Sequence, residues 1–117
     1  YSDLVKDIIF YFSERITHAR ALGIVDLIID PGFGFAKTLE QNYELLNKFE
    51  LLKMMDLPLL AGLSRKSMIY KTLNSSSEDA LNGTSVLNTI ALQKGANILR
   101  VHDVKEAMEC VTLTQQL

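Results

Sequence analysis

The chain has 117 residues, enough for one domain with its own core, and 48% of them are hydrophobic, as in an ordinary soluble domain. Its formal net charge of −2 gives no reason to expect nucleic acid or an anionic membrane as a partner, so any anion would have to be held by a local basic cluster. The single cysteine, Cys110, cannot form an internal disulfide, which favours a reducing compartment and a cytoplasmic location.

We do not expect the first residues of this chain to be a signal peptide or a membrane segment. No stretch is long and apolar enough to cross a bilayer. The first helix-like segment is amphipathic and charged between Asp3 and Arg15, so we do not expect a signal peptide. The chain begins with Tyr1 instead of Met, and a truncated, a processed or an incompletely recorded protein would each explain this.

A helix followed by a strand is predicted for the first thirty positions. Apolar side chains recur at helical spacing over residues 4–22, and Gly23 is a good left-handed stop. Residues 24–29 are mostly β-branched, which predicts a short buried strand. The turn sequence that starts at Asp30 ends that strand.

A second helix and a second strand follow. Thr38 and Gln41 form a capping box that opens the helix. Its predicted core positions are Leu45, Leu46, Phe49 and Leu52. The apolar run over residues 59–63 predicts another buried strand.

The remaining elements repeat this alternation. They are a short helix over 64–73, a polar loop over 74–79, a helix over 80–94, a strand over 98–101 and a helix over 104–113. Asp103 and Glu106 form a second capping box before the last helix. The order α-β-α-β-α-β-α predicts a parallel sheet with right-handed crossovers. Three strands are too few to close a barrel. The sequence therefore allows two interpretations, a small open sheet or a part of a larger fold.

Polar residues follow each predicted strand. They are Asp30 to Lys37 after the first, Ser64 to Ser67 after the second and Arg100 to Asp103 after the third. Parallel α/β proteins bind ligands at the carboxyl ends of their strands, so we expect binding residues among them. In particular, we expect the side chains of Asp30, Lys66 and Arg100 to converge on a common hollow at one rim of the sheet.

Two of these positions allow both a structural and a ligand-binding interpretation. Asp30 is either an ordinary turn residue or a carboxylate that accepts two parallel hydrogen bonds from an amidine-like edge. Arg65 and Lys66 are either solvated or face an anionic or polar ligand. A cation at a helix N-terminus is unfavourable because it opposes the helix dipole, and a ligand there would offset this cost. Ser67 could cap the short helix or contact the ligand.

Arg100 and His102 alternate with Val101, so we expect both on one face. They either pair with nearby carboxylates or form a phosphate or pyrophosphate site together with the N-terminus of the last helix. Asp103 is explained as the cap of that helix and is left out of the candidate site.

Aromatic and potentially reactive side chains elsewhere are weaker candidates. Phe33 and Phe35 are either core residues or, in a glycine-flanked loop, a cover for a flat ligand. His18 is expected on the surface, and Cys110 is expected to be a small buried hydrophobe. There is no metal-spaced His/Cys cluster, no Walker loop and no GxGxxG motif.

Three sequence blocks together resemble the dihydropteroate synthase family. They are Asp30-Pro31-Gly32-Phe33-Gly34-Phe35 with Lys37, then Gly62-Leu63-Ser64-Arg65-Lys66-Ser67, then Arg100-Val101-His102-Asp103-Val104. Their order and spacing are close to those of the family. The resemblance implies that residues 1–117 are a single partial domain, the C-terminal half of a (β/α)8 TIM barrel from helix 5 through strand and helix 8.

The resemblance also implies an activity. The family condenses 6-hydroxymethyl-7,8-dihydropterin pyrophosphate with p-aminobenzoate to give 7,8-dihydropteroate and pyrophosphate. By motif, Lys66, Arg100 and His102 would be catalytic, with Lys66 orienting the pterin and the other two holding the pyrophosphate. The whole substrate-binding set would be Asp30, Phe35, Lys66, Ser67, Arg100, Val101 and His102. Asp30 would bind the amino-pyrimidine edge of the pterin, while Phe35, Ser67 and the stem of Lys66 would line the p-aminobenzoate pocket.

The same resemblance implies Mg²⁺ as cofactor, with its main ligand outside this segment, a homodimer, and sulfonamides as inhibitors. Because half of the family's site is absent, we expect no turnover from these residues alone. Two other functions stay open: a pterin-dependent methyltransferase on the same barrel, and a non-catalytic pterin-binding half-barrel.

Overall fold

The computed structural model describes residues 3–117. Its helices are α1 (Leu4–Ala21), α2 (Leu39–Asn47), α3 (Ser67–Thr72), α4 (Leu81–Gln93) and α5 (Val104–Thr114). Its strands are β1 (Leu60–Ala61) and β2 (Ile98–Leu99), and 3-10 helices occupy Phe49–Met55 and Ser77–Asp79. Within this range, no helix is long and apolar enough to cross a membrane.

The sheet is parallel, as the alternating order predicts. β1 pairs with β2, with Leu60 opposite Ile98. On the other side of β1, Ile29 forms a parallel bridge to Leu59, and the Leu60 N–H donates to the Ile29 carbonyl at 2.8 Å. Three extended segments therefore lie in the order Ile29, β1, β2, and their carboxyl ends share one edge.

The prediction of a buried strand over residues 24–29 is wrong for all but its last residue. Ile29 is 2% exposed, but Val25 is 77% exposed, and Ile24 and Ile28 are also exposed. A parallel strand is normally buried between two neighbours. Among residues 3–117, β1 lies on one side of Ile29, and no strand is available for the other side.

The core is built on the predicted face of the second helix. Leu45, Phe49 and Leu52 are fully buried, and Leu46 nearly so. The capping box is confirmed, because the Gln41 N–H donates to Thr38 Oγ1 at 3.1 Å while the Thr38 N–H donates to Gln41 Oε1 at 2.9 Å. The helix ends at Asn47, and the 3-10 helix carries the last two core positions.

Three other predicted elements have different boundaries in the structure. Leu22, the last apolar position of the first predicted helix, is 67% exposed beyond the end of α1. Residues 64–66 precede α3 as a loop, in which Arg65 has a φ of +54°. Ser77–Asp79 forms a 3-10 turn inside the predicted polar loop.

The predicted capping box at Asp103 and Glu106 is wrong. Asp103 precedes α5, but its side chain accepts no bond from that helix. Its carboxylate instead forms a two-point ion pair with the guanidinium of Arg65. Such charge-assisted, bidentate bonds are stronger than one bond to a backbone N–H. The carboxylate therefore binds the distant guanidinium instead of the nearby N–H groups of α5.

Candidate functional site

Arg100 lies across the end of β1. Its Nη1 donates to Asp30 Oδ2 at 3.2 Å, although Asp30 and Arg100 follow the two outer segments of the sheet. The guanidinium therefore passes over Gly62, where a Cβ atom would lie only 2.7 Å from Nη2 of Arg100. Gly62 is thus a site residue that our sequence reasoning missed. A glycine inside a strand pattern is a known sign of such a close approach.

Asp30 combines the two interpretations that its sequence allows. Its Oδ1 accepts the Gly32 N–H at 2.9 Å, which is ordinary turn chemistry. Its Oδ2 accepts from Arg100. The turn is made possible by Gly32, whose φ of +74° is left-handed. The carboxylate is therefore fixed by the turn on one side and faces a cation on the other.

Two lysine side chains hold the carbonyl groups of the loop after Asp30. Lys37 Nζ donates to the carbonyls of Pro31 and Gly32 at 3.1 and 2.8 Å. Lys66 Nζ donates to the carbonyl of Phe33. Burial, opposed in part by Asp30, lowers the pKa of Lys37. Burial and then the nearby Arg100 lower the pKa of Lys66. Cations outnumber carboxylates here, which suits an anionic ligand.

Phe33 and Phe35 have opposite environments. Phe33 is fully buried and stacks on Phe49 with 6.0 Å between ring centroids, so its core interpretation is confirmed. Phe35 is 71% exposed, and Lys66 Nζ lies 5.2 Å from the centre of its ring. A Cβ atom at Gly34 would approach Cδ of Lys66 to 3.3 Å. Glycine at this position lets the Lys66 stem pass, and the stem and Phe35 form an open apolar surface.

Asn42 anchors this loop to α2, and it is a second residue that our sequence reasoning missed. Its side chain is 3% exposed. Its Oδ1 accepts the Gly34 N–H at 2.8 Å, and its Nδ2 donates to the Thr38 carbonyl at 3.1 Å. A lone asparagine in an amphipathic helix gives no signal of this role, because its partner lies in a loop outside the helix.

His102 contacts the loop after β1. A hydrogen bond of 2.7 Å joins its Nδ1 to Ser64 Oγ, and its backbone N–H donates to the same oxygen at 3.2 Å. The alternative of pairing with a carboxylate therefore applies to Arg100, not to His102. Val101 is half-buried between them, and Ser67 is the half-buried first residue of α3.

A groove of about 590 Å³ opens between α1 and the loop after Asp30. Its lining residues are Leu4, Asp7, Ile8, Tyr11, Phe12, Asp30, Pro31, Gly32, Phe35, Ala36 and Lys37. Asp30 and Phe35 are predicted site residues, whereas the contribution of α1 was not predicted. Lys66 and Arg100 do not line the groove, although Arg100 contacts Asp30 beside it. The charged side chains are thus neighbours: Arg100 contacts Asp30, and the charge of Lys66 is close enough to interact with both.

The side chains within residues 3–117 do not fit a magnesium site by themselves. No three His, Cys, Asp or Glu residues in that range are grouped so that they could hold a metal ion. The carboxylate of Asp30 already contacts Gly32 and Arg100. The magnesium requirement stays a prediction.

Comparison with known proteins gives a family. The model for "Pterin binding enzyme" matches residues 1–102. The dihydropteroate synthase of Escherichia coli K12 is 42% identical over 98% of this chain and 42% of its own length. That of Clostridium beijerinckii is 41% identical over 97% of this chain and 44% of its own length. The chain therefore spans less than half the length of these relatives.

Solved structures give the same result. The dihydropteroate synthase of Yersinia pestis superposes with a TM-score of 0.96 at 42% identity, over 99% of this chain and 49% of that one. The Xanthomonas albilineans enzyme in complex with 7,8-dihydropteroate has a TM-score of 0.95 at 38% identity, over 99% of this chain and 47% of that one. By its family match and its shared α/β fold, this chain belongs to the pterin binding enzymes.

Proposed function

We propose that the protein is a dihydropteroate synthase, and that residues 1–117 form the C-terminal part of its TIM barrel, from helix 5 through strand and helix 8. The parallel order of the three extended segments supports this placement. So do the exposed β-branched side chains of Ile24, Val25 and Ile28, which lie where a preceding barrel strand would pair. The chain spans less than half the length of the relatives, which leaves room for the remaining strands and helices of a barrel.

The proposed reaction makes two demands on the site. The bond between the pterin methylene carbon and its oxygen breaks, and the electron pair leaves with pyrophosphate. The amine nitrogen of p-aminobenzoate then bonds to that carbon and releases one of its two protons to solvent. The site must stabilise charge on the leaving group and keep water from the cationic pterin.

The contact between Arg100 and Asp30 is the observation that carries the proposal. A guanidinium presents N–H donors on a planar, amidine-like edge, and so does the amino-pyrimidine edge of a pterin. Arg100 therefore occupies the kind of contact that the pterin would make with Asp30. The bond uses one of the five guanidinium N–H donors, and the Arg100 side chain is 56% exposed. A pyrophosphate can reach the other donors.

The other predicted residues have roles consistent with their surroundings. Lys66, with its reduced pKa and its contact to the Phe33 carbonyl, would exchange that contact for one to the pterin. His102 would add a donor for the pyrophosphate beside Arg100. Phe35 and Ser67 would contact p-aminobenzoate, and Val101 would pack near the pterin.

Binding of inorganic pyrophosphate tests this proposal. The variant Arg100→Ala is made in the full-length protein that contains this chain, with Arg20→Ala, an exposed arginine in the last turn of α1, as the matched control. Because hydrogen bonds to charged groups contribute about 1.5–3 kcal/mol, calorimetry should show about 10- to 150-fold weaker binding for Arg100→Ala and no change for Arg20→Ala.

Equal pyrophosphate binding by wild type and Arg100→Ala would contradict the proposal and favour a pterin-dependent methyltransferase. A steady-state assay on residues 1–117 alone should show no turnover.

Sedimentation of the full-length protein should show the proposed homodimer. The Yersinia pestis enzyme has been solved with a sulfonamide drug, and we propose the same inhibitor class here. We also propose a cytoplasmic location, consistent with the free thiol of Cys110.

A further inference from the structure

The guanidinium of Arg65 joins three segments of the chain. Its Nε and Nη2 donate to the two carboxylate oxygens of Asp103 at 2.9 and 3.1 Å. Its Nη1 donates to the carbonyls of Ser77 and Glu78 at 2.7 and 2.9 Å. The side chains of Arg65 and Asp103 are only 23% and 24% exposed. The pair is therefore a two-point, partly buried contact with little freedom to rearrange.

The backbone of Arg65 is also fixed. Its N–H donates to Thr84 Oγ1 at 3.0 Å, and Thr84 is buried on α4. Its φ of +54° is left-handed, a conformation that a residue other than glycine keeps only when its surroundings hold it. Both ends of Arg65 are thus held by groups outside the candidate site.

Each member of this pair is next in sequence to a proposed site residue. Arg65 precedes Lys66, and Asp103 follows His102. We propose that Arg65 and Asp103 are positioning residues that clamp the loop after β1 to the loop after β2, so that Lys66 and His102 stay in register with Arg100. This inference rests on the proposed function, because that function gives the two loops a common ligand.

The clamp and simple electrostatics predict opposite results when Asp103 is removed. Asp103 brings a negative charge next to His102 and Arg65. By charge alone, its loss would strengthen the binding of an anion. If the carboxylate instead holds the loops in place, its loss lets Lys66 and His102 move, and the binding of the anion weakens.

The test uses Asp103→Ala and the milder Asp103→Asn in the full-length protein. The control is Glu50→Ala, which breaks another partly exposed ion pair, that of Glu50 and Lys94 at 3.2 Å. Calorimetry with inorganic pyrophosphate should show about tenfold weaker binding for Asp103→Ala. This is the size of effect seen in metal sites when a residue that orients a ligand is removed. Asp103→Asn should fall between Asp103→Ala and wild type, and Glu50→Ala should bind as wild type does.

Hydrogen exchange provides a readout that does not depend on the ligand. Amides in residues 62–67 and 100–103 should exchange faster in Asp103→Ala, and at the wild-type rate in Glu50→Ala. Unchanged exchange in both loops would overturn the clamp, and so would pyrophosphate binding that is unchanged or tighter. If the wild-type protein binds no pyrophosphate, the proposed function is wrong, and so is the role of the clamp in it. Hydrogen exchange still decides whether Arg65 and Asp103 hold the two loops together.

Discussion

The substitution Gly62→Ala should separate ligand binding from stability. The added methyl group would lie 2.7 Å from Nη2, 3.2 Å from Cζ and 3.3 Å from Nε of Arg100, whereas ordinary contact begins at 3.4 Å. The guanidinium must therefore move away from β1. Its 3.2 Å hydrogen bond to Asp30 then breaks, and the donors proposed to bind pyrophosphate change place.

The expected change in stability is small because two effects oppose each other. Gly62 does not have a left-handed φ, so alanine should stabilise by about 0.4–1 kcal/mol through the unfolded chain. The lost ion pair is 56% exposed at Arg100 and 31% at Asp30, and such pairs contribute about 0–1 kcal/mol. The free energy of unfolding should thus change by less than about 1 kcal/mol.

The expected change in binding is much larger. Displacing one charged donor costs about 1.5–3 kcal/mol, which corresponds to about 10- to 150-fold in the dissociation constant of pyrophosphate. Calorimetry and urea denaturation of the full-length protein measure the two quantities. The control is Gly62→Ala in an Arg100→Ala background, where the added methyl group has no guanidinium to displace. Wild-type affinity in Gly62→Ala, or the same loss in both backgrounds, would refute the reasoning.

Two further predictions concern the phenylalanines and the lysine of the site. In urea denaturation, Phe33→Ala should destabilise by about 3–5 kcal/mol and Phe35→Ala by less than about 0.5 kcal/mol, since Phe33 is fully buried and Phe35 mostly exposed. Similar losses in both would contradict this. The pKa of Lys66 lies below its ordinary 10.5, so the unfolded chain binds the proton more tightly and stability should rise with pH from the folded-state pKa towards 10.5. Lys66→Met should show a smaller rise across that window, and an equal rise would show that Lys66 is not the source.

The sequence alone determined those features that depend on neighbours along the chain. The capping box of Thr38 and Gln41 forms because its partners are three residues apart. The core face of Leu45 and Phe49 follows from helical spacing. The alternation of helices and strands predicted a parallel sheet, and with it the proximity of Asp30 to Arg100, which are 70 positions apart.

Only the tertiary structure decided the features that depend on which groups meet across the fold. Residues 24–28 are mostly β-branched, but a strand also needs a neighbour, and the described residues supply none on that side. Asp103 could have capped α5, but Arg65, 38 positions away, offers two charged donors and holds the carboxylate. Gly62 matters because Arg100 crosses it. The preference of a residue for a local strand or helix cap contributes less free energy than a contact with a buried or charged partner. The position of that partner is set by the packing of the whole chain.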